Sequence, residues 1–208
     1  MKYKLKEISN VSSSKRIYAK EYTPKGIPFY RGKEIIAKSQ GYKVKDSLFI
    51  SIDKFKELKE NYDIPKANDI LISAVGTIGK IYLVRQEDLP FYFKDGNLIK
   101  VTVNNEKNID TNYLYYYLTS SIGQEKIKDI EIGSTQKAIT IKSLSDIEVD
   151  LPSLATQKQI SSRLLKIDEK VKLNNQINDN LDVKNTFLTA LFLLLIIFRF
   201  LLLIFLIV

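Results

Sequence analysis

The sequence predicts an α+β domain followed by a long helix, and three observations carry that reading. Short runs rich in Ile, Leu, Val, Phe and Tyr, bounded by turn residues, recur through residues 1–153. Within that region the apolar spacing changes at least once from strand-like to helical. Beyond Pro152 there is no further Gly or Pro, and apolar residues recur in a heptad pattern.

The elements follow in order. Leu48 to Ile52 and Asp69 to Val75 read as strands, and Lys80 to Val84 follows the second across Gly76-Thr77-Ile78-Gly79, which predicts a hairpin. Phe91 to Phe93 and Leu98 to Val103 flank a turn at Lys94-Asp95-Gly96-Asn97. Asp110 to Gly123 reads as one helix, with Leu114, Tyr117, Leu118 and Ile122 at steps of three and four after an acidic start that suits a helix N-terminus. Glu125 to Ile130 is helical, and Ile139 to Leu144 is an apolar run.

From Leu154 a long helix places Ile160, Leu164, Ile167, Val171, Asn174, Asn178 and Leu181 on one seam at alternating steps of four and three. The seam suits a partner helix, and a buried Asn fixes register and oligomer state. An amphipathic helix folded back on its own domain is the alternative. Domain boundaries are therefore expected at 1–153, 154–185 and 186–208. The last segment, Thr186 to Val208, is apolar almost throughout except for Thr189 and Arg199. Three origins stay open: a membrane helix of roughly 20 residues in which Arg199 costs about 3 kcal/mol, a buried continuation of the coil, or a shifted reading frame through an AT-rich repeat.

Composition removes whole classes of chemistry. The chain has no Cys and no His, which excludes disulfides, thiolate or imidazole metal sites, and Ser-His-Asp or Cys-His nucleophiles. Met1 to Asn10 is charged and polar, so no secretory signal of the usual form is expected and the cytoplasm is the expected compartment. The net charge is +8, with twelve Lys/Arg against three acidic residues in Met1 to Lys45 and thirteen against seventeen in Asp46 to Ser153. A basic end of this kind suits phosphate contacts; a solvated lysine-rich surface is the plain alternative.

Three motifs invite chemistry. The glycines of Gly76-Thr77-Ile78-Gly79-Lys80 are too close together for a P-loop and a strand follows, so a tight turn whose amides and Lys80 face outward fits better. Glu57-Leu58-Lys59, with Asp46 or Asp53 upstream, has the loose form of a Mg²⁺ nuclease site, against which stands a solvated charged helix face. Gly133-Ser134-Thr135-Gln136-Lys137 is a polar pentapeptide in which Gln136 can pair with adenine, if it is more than a solvent loop.

In order along the chain, "YKLKEISNVSSSKR", "GIPFYRGKEI", "NDILISAVGTIGKIYLV", "FYFKDGNLIKV" and "IGSTQKAITIKSLSDIEVDLPSLATQKQI" resemble the specificity subunit of type I restriction-modification enzymes, with "LLKIDEKVKLNNQINDNL" continuing its conserved helix. The resemblance covers nearly all of residues 1–185. It implies a target-recognition domain with a curved β-sheet and packed helices, leading into a coiled-coil helix, in a half-length form with one recognition domain. It also implies double-stranded DNA as ligand, with a methyltransferase subunit and an endonuclease subunit as partners. Catalysis and its S-adenosylmethionine, ATP and Mg would then reside in those partners, and this chain would hold no cofactor or metal.

On the same resemblance, Lys15, Arg16, Arg31 and Lys33 are expected to hold phosphates. Tyr30, Thr77, Lys80, Lys94, Ser134, Thr135, Gln136 and Lys137 are the candidates for base or groove contact. The seam Ile160 to Leu181 would pair with a second copy or with another half subunit, giving a split target. A truncated or silent recombination cassette, and a membrane-anchored coiled-coil scaffold, remain as alternatives.

Overall fold

The computed structural model describes residues 1–207 apart from 43, 45 and 105–108, and their side chains apart from 179 and 182–207. The elements in chain order are β1 (Lys2–Lys4), α1 (Leu5–Ile8), β2 (Ser9–Ser12), β3 (Tyr22–Thr23), β4 (Ile27–Tyr30), α2 (Gly32–Ser39), β5 (Leu48–Ile50), α3 (Ile52–Asn61), β6 (Ile70–Ser73), β7 (Ile81–Leu83), β8 (Tyr92–Phe93), β9 (Leu98–Val103), α4 (Thr111–Thr119), α5 (Ser121–Asp129), α6 (Ile141–Ser145), β10 (Glu148–Asp150) and α7 (Leu154–Ile207). Contacts divide the chain into two units, Met1–Ser162 and Arg163–Val208.

The first unit is α+β, and its described residues form three sheets. One has the order β2-β9-β6-β7, a second β3-β5-β4-β8, and β1 pairs with β10. Strand β6 explains the first sheet. All four of its residues are buried, because Ile70 and Ile72 pack into a core with Leu114, Leu118, Ile127 and Leu144 from α4, α5 and α6. Leu71 points the other way, into a core with Ile35, Phe91 and Phe93. A strand covered on both faces needs a continuous apolar run, which is what Ile70-Leu71-Ile72 supplies.

The second sheet shows the same alternation. Phe29 and Tyr92 pack with Ile50, Phe55 and Leu58 on one face, whereas their chain neighbours Tyr30 and Phe93 join the core containing Leu71. Strands β4 and β8 are parallel, with Phe29 opposite Tyr92 and Tyr30 opposite Phe93. The chain therefore crosses from one sheet to the other between β8 and β9. The predicted turn at Lys94 to Asn97 joins two sheets; it does not close a hairpin.

The hairpin predicted between Asp69 and Val84 forms as β6 and β7, antiparallel with Ile72 opposite Ile81. The single helix predicted for Asp110 to Gly123 does not form. Asp110 caps α4 by accepting from the Tyr113 amide at 2.7 Å, and Ser120 leaves the helical backbone (ψ 164°) to cap a new helix, accepting from Gly123 at 3.2 Å. The break turns Ile122 outward, while Leu114 and Leu118 stay buried.

Helix α7 begins at Leu154. Its first turns belong to the first unit, where Gln157 is buried, accepts from the Asp110 amide at 3.0 Å and donates to the Pro152 carbonyl at 2.9 Å. The residues of the predicted apolar tail, Thr186 to Val208, lie outside the described side chains. Among the described residues no helix is long and apolar enough to cross a membrane.

Candidate nucleic-acid interface

Strand register and bridging gather four polar segments at one end of the first unit. In the first sheet Ser12 pairs with Lys100, Ser73 with Leu98 and Ile72 with Ile81. Residues 13–16, 94–97 and 74–80 therefore all leave the sheet at that end. Hydrogen bonds tie them together. The Ala74 amide donates to the Asn97 carbonyl at 2.8 Å, the Lys94 amide to the Tyr30 carbonyl at 2.8 Å, and Ser14 Oγ to the Phe93 carbonyl at 2.7 Å.

The pentapeptide at 133–137 joins the same rim. Ala138 bridges both Val75 and Ile132, and the Ile139 amide donates to the Ala74 carbonyl at 2.9 Å. The loop between these bridges is exposed, so Ser134, Thr135 and Gln136 project from the rim next to the turn at 76–79. Gly133 has φ +95°, and a Cβ there would meet the Gln136 carbonyl oxygen at 2.5 Å, so the loop's shape requires glycine. Across the turn, Ser73 Oγ donates to the Thr77 carbonyl at 2.6 Å and accepts from the Lys80 amide at 2.9 Å. Gln124 Nε2, from α5, clamps the turn by donating to the Gly79 carbonyl at 3.0 Å. Thr77 and Lys80 are left exposed.

The basic candidates differ in what holds them. Lys15 is exposed, its backbone amide donating to the Tyr92 hydroxyl at 2.8 Å and its ammonium lying 5.4 Å from the centre of the Tyr62 ring. Burial pushes the Tyr92 hydroxyl up to about 12, which keeps it neutral as that acceptor. Arg16 Nε donates to Asp95 at 2.8 Å, and this hydrogen bond, with the carboxylate's charge, raises the guanidinium further. Lys94 is half-buried on the rim. Lys33 is exposed, 3.7 Å from Glu34, and Lys137 pairs with Glu131 at 2.9 Å.

Two candidates face inward. Tyr30 is buried with its ring 4.9 Å from that of Phe91, so it cannot reach a base. Arg31 spends its fork on the buried Glu34, Nη2 at 2.7 Å and Nε at 3.4 Å, while its own amide donates to the same carboxylate at 2.9 Å. It fixes the start of α2, and its charge is largely committed there.

The basic excess of the first 45 residues is also divided in space. Lys2 and Lys4 lie opposite Asp150 and Glu148 in the β1–β10 ladder, Lys6 pairs with Asp146 at 2.7 Å, and Lys38 is paired with Asp88. Only part of that cluster stands on the rim. Sequence reasoning missed Tyr62, whose place beside Lys15 depends on a contact across 47 positions of the chain.

The suggested nuclease triplet does not assemble. Leu58 is buried, Glu57 pairs with Lys54 at 3.0 Å and Asp53 is exposed on α3. Among the described residues no group of three or more acidic side chains is arranged to hold a metal ion.

In α7, Ile160, Ile167, Val171 and Leu181 are exposed, with Leu164 half-buried and Asn174 and Asn178 exposed beside them. Ile167, at 55% exposure, is typical. Leu173 and Ile177 are also exposed and lie off the predicted seam, so the helix bears more apolar surface than one heptad stripe describes.

Residues 1–183 match the family model described as type I restriction modification DNA specificity domain. The chain belongs to that family. It is 32% identical over 178 residues to the putative type I restriction enzyme specificity subunit S.HindORF215P of Haemophilus influenzae, covering 85% of this chain and 42% of that one. It is 26% identical over 191 residues to the type I restriction enzyme MjaVIII specificity subunit of Methanocaldococcus jannaschii, covering 86% and 42%. The fold is like that of the type I restriction-modification S subunit of M. genitalium, with TM-score 0.59, 21% identity and coverage of 83% and 40%. The HsdS subunit of Thermoanaerobacter tengcongensis gives TM-score 0.59 at 20% identity, covering 82% and 38%. The chain thus spans about two-fifths of the length of these relatives.

Proposed function

We propose that this chain chooses the DNA sequence on which a type I restriction-modification complex acts, and performs no chemistry itself. The observation that carries the proposal is the rim, where four separate segments meet at one end of the fold, tied by backbone and serine hydrogen bonds. Such a surface is preorganised, so binding DNA there spends little free energy on ordering loops. Exposed Lys15, Lys33 and Lys80, with half-buried Lys94, supply phosphate contacts that position the duplex. Thr77, Ser134, Thr135 and Gln136 are placed to read base edges.

Helix α7 serves as the partner-binding element. Its exposed apolar residues from Ile160 to Leu181 call for another helix, from a second copy of this chain, another half subunit or the methyltransferase subunit. Two recognition surfaces joined through such helices would read a split target, and two identical ones a split palindrome. The methyltransferase and endonuclease subunits would bring S-adenosylmethionine, ATP and Mg, and the complex would work in the cytoplasm.

The test is to co-express the full chain with its cognate methyltransferase subunit in a host lacking adenine methylation, and to map methyladenine across the genome. A single motif in two parts separated by a fixed spacer is expected. A soluble complex that methylates nothing, or methylates without sequence preference, would overturn the proposal.

A further inference from the structure

We infer that Arg16 is a specificity-determining residue that reads the edge of a guanine, and that Asp95 is the residue that positions it. This assignment rests on the DNA-reading function proposed above and gives Arg16 a base contact in place of the phosphate contact expected from the sequence.

Arg16 differs from Lys15, Lys80 and Lys94 on the rim in holding a carboxylate, and from the paired Lys137 in carrying a guanidinium fork. Its Nε donates to Asp95 Oδ2 at 2.8 Å, while neither Nη group has a partner among the described residues. The arginine side chain is 65% exposed and the aspartate 15%. The carboxylate is thus the more buried partner, and the guanidinium with its two unbonded NH₂ groups lies on the exposed side of the pair. A guanidinium with Nε occupied still offers one N–H from each Nη, in the parallel pair that matches guanine O6 and N7.

Both sides of the ion pair are anchored. Next to Arg16, the Lys15 amide is fixed on the Tyr92 hydroxyl and Ile17 is buried. Asp95 sits in a turn held at one end by the hydrogen bond from Lys94 to Tyr30 and at the other by that from Ala74 to Asn97. Within the turn, the Gly96 amide reaches Ser13 Oγ at 3.4 Å. The fork is therefore oriented before DNA arrives, which reduces the rotamer freedom lost on binding.

Charge decides between phosphate and base. A phosphate at Arg16 would approach the Asp95 carboxylate as well, and like charges at short range oppose contact. A base edge is neutral and carries acceptors, so a neutral arginine–aspartate pair suits it. Lys15, Lys80 and Lys94 have no carboxylate partner among the described residues and fit phosphates. Arg31, with Nε and Nη2 both on Glu34, has no free fork to offer.

The experiment is selection of bound duplexes from a random-sequence library by the full chain, together with salt titrations on the selected duplex. It compares wild type with Arg16→Lys, which keeps the charge and removes the fork, with Arg16→Ala, and with Asp95→Asn. The wild-type motif is expected to contain a guanine whose preference falls roughly 10- to 100-fold in both Arg16 variants, the other positions unchanged. Asp95→Asn should relax that same position by a smaller factor. Because Arg16 is exposed and Asp95→Asn keeps the shape of the partly buried side chain, the thermal midpoints should stay close to that of wild type. A motif without guanine, or one that Arg16→Lys leaves intact, would overturn the inference. So would an Arg16→Ala variant that binds every sequence more weakly and loses about one unit of salt dependence, the signature of a phosphate contact. A wild-type chain that selects no motif would remove the DNA-reading function itself, which is a different outcome from all of these.

Discussion

Lys100 and Arg16 are both cations held by aspartates, yet one lies inside the fold and the other on its rim. Lys100 is 1% exposed on β9 and is paired with Asp63, with Asp69 at 3.6 Å. Asp69 is itself satisfied by Thr102 Oγ1 at 2.6 Å and the Lys66 amide at 2.8 Å. In the interior, with water excluded, a charge must be matched on all sides, and the network consequently ties β9 to the segment before β6. On the rim water screens the pair, so it adds little stability and is free to serve recognition. The same residue types thus hold the scaffold in one place and face the ligand in another.

Substitutions that attack the interior should separate cleanly from those on the rim. Lys100→Met has the largest expected effect, a loss of about 3 kcal/mol in unfolding free energy, because Asp69 stays buried without its cation. Urea denaturation of the full chain measures it, and a loss below about 0.5 kcal/mol would mean the network is dispensable.

Asp88→Asn comes next. Burial acts to raise the Asp88 carboxyl, but hydrogen bonds from Lys38 and Tyr82 outweigh it and hold it below its ordinary value of 3.8. A carboxyl lowered in the folded state stabilises the fold above its unfolded value and loses that contribution as pH falls through the folded value. The substitution should therefore cost about 2 kcal/mol at pH 7. The gap from wild type should close as the pH drops below 3.8, which paired denaturation curves at neutral and acid pH would reveal.

Lys80→Ala should do the reverse of both. Stability should stay within about 0.5 kcal/mol of wild type, while affinity for all duplexes falls and the salt dependence of binding drops by about one. A change in sequence preference instead would move Lys80 from phosphate to base contact.

The division between interior and rim was only partly visible in the sequence. Local signals succeeded where one stretch of chain decides the outcome: the glycine turn between β6 and β7, the six residues of β9 and the onset of α7 at Leu154. They failed where a distant partner decides. Nothing in the run Leu98 to Val103 marks Lys100 as buried, and its burial depends on Asp63 and Asp69 elsewhere in the chain. Tyr30 and Arg31 are expected from the sequence to contact base and phosphate, but the parallel pairing of β4 with β8 draws Tyr30 into the core, and Glu34 claims the arginine. The break at Ser120 escaped because its apolar spacing runs unbroken into Ile122.

The candidate site divides in the same way. The exposed loops at 76–80 and 133–137 were legible as turn chemistry. Their meeting on one rim was not, since it depends on Ala138 bridging to Val75. The basic cluster of the first 45 residues misled in the opposite direction, because Lys2 and Lys4 lie opposite acids in the β1–β10 ladder and Lys6 pairs with Asp146, away from the rim. Charge counted along a chain is not charge presented to a ligand.

The central claim is that the rim loops carry the sequence preference. The most direct measurement replaces Ser134, Thr135 and Gln136 together by alanine in the full chain, co-expressed with the methyltransferase subunit, and maps methyladenine genome-wide. The account predicts continued methylation at an altered motif, with some base positions relaxed and others kept. An unchanged motif at unchanged occupancy would show that this loop reads nothing and would contradict the account.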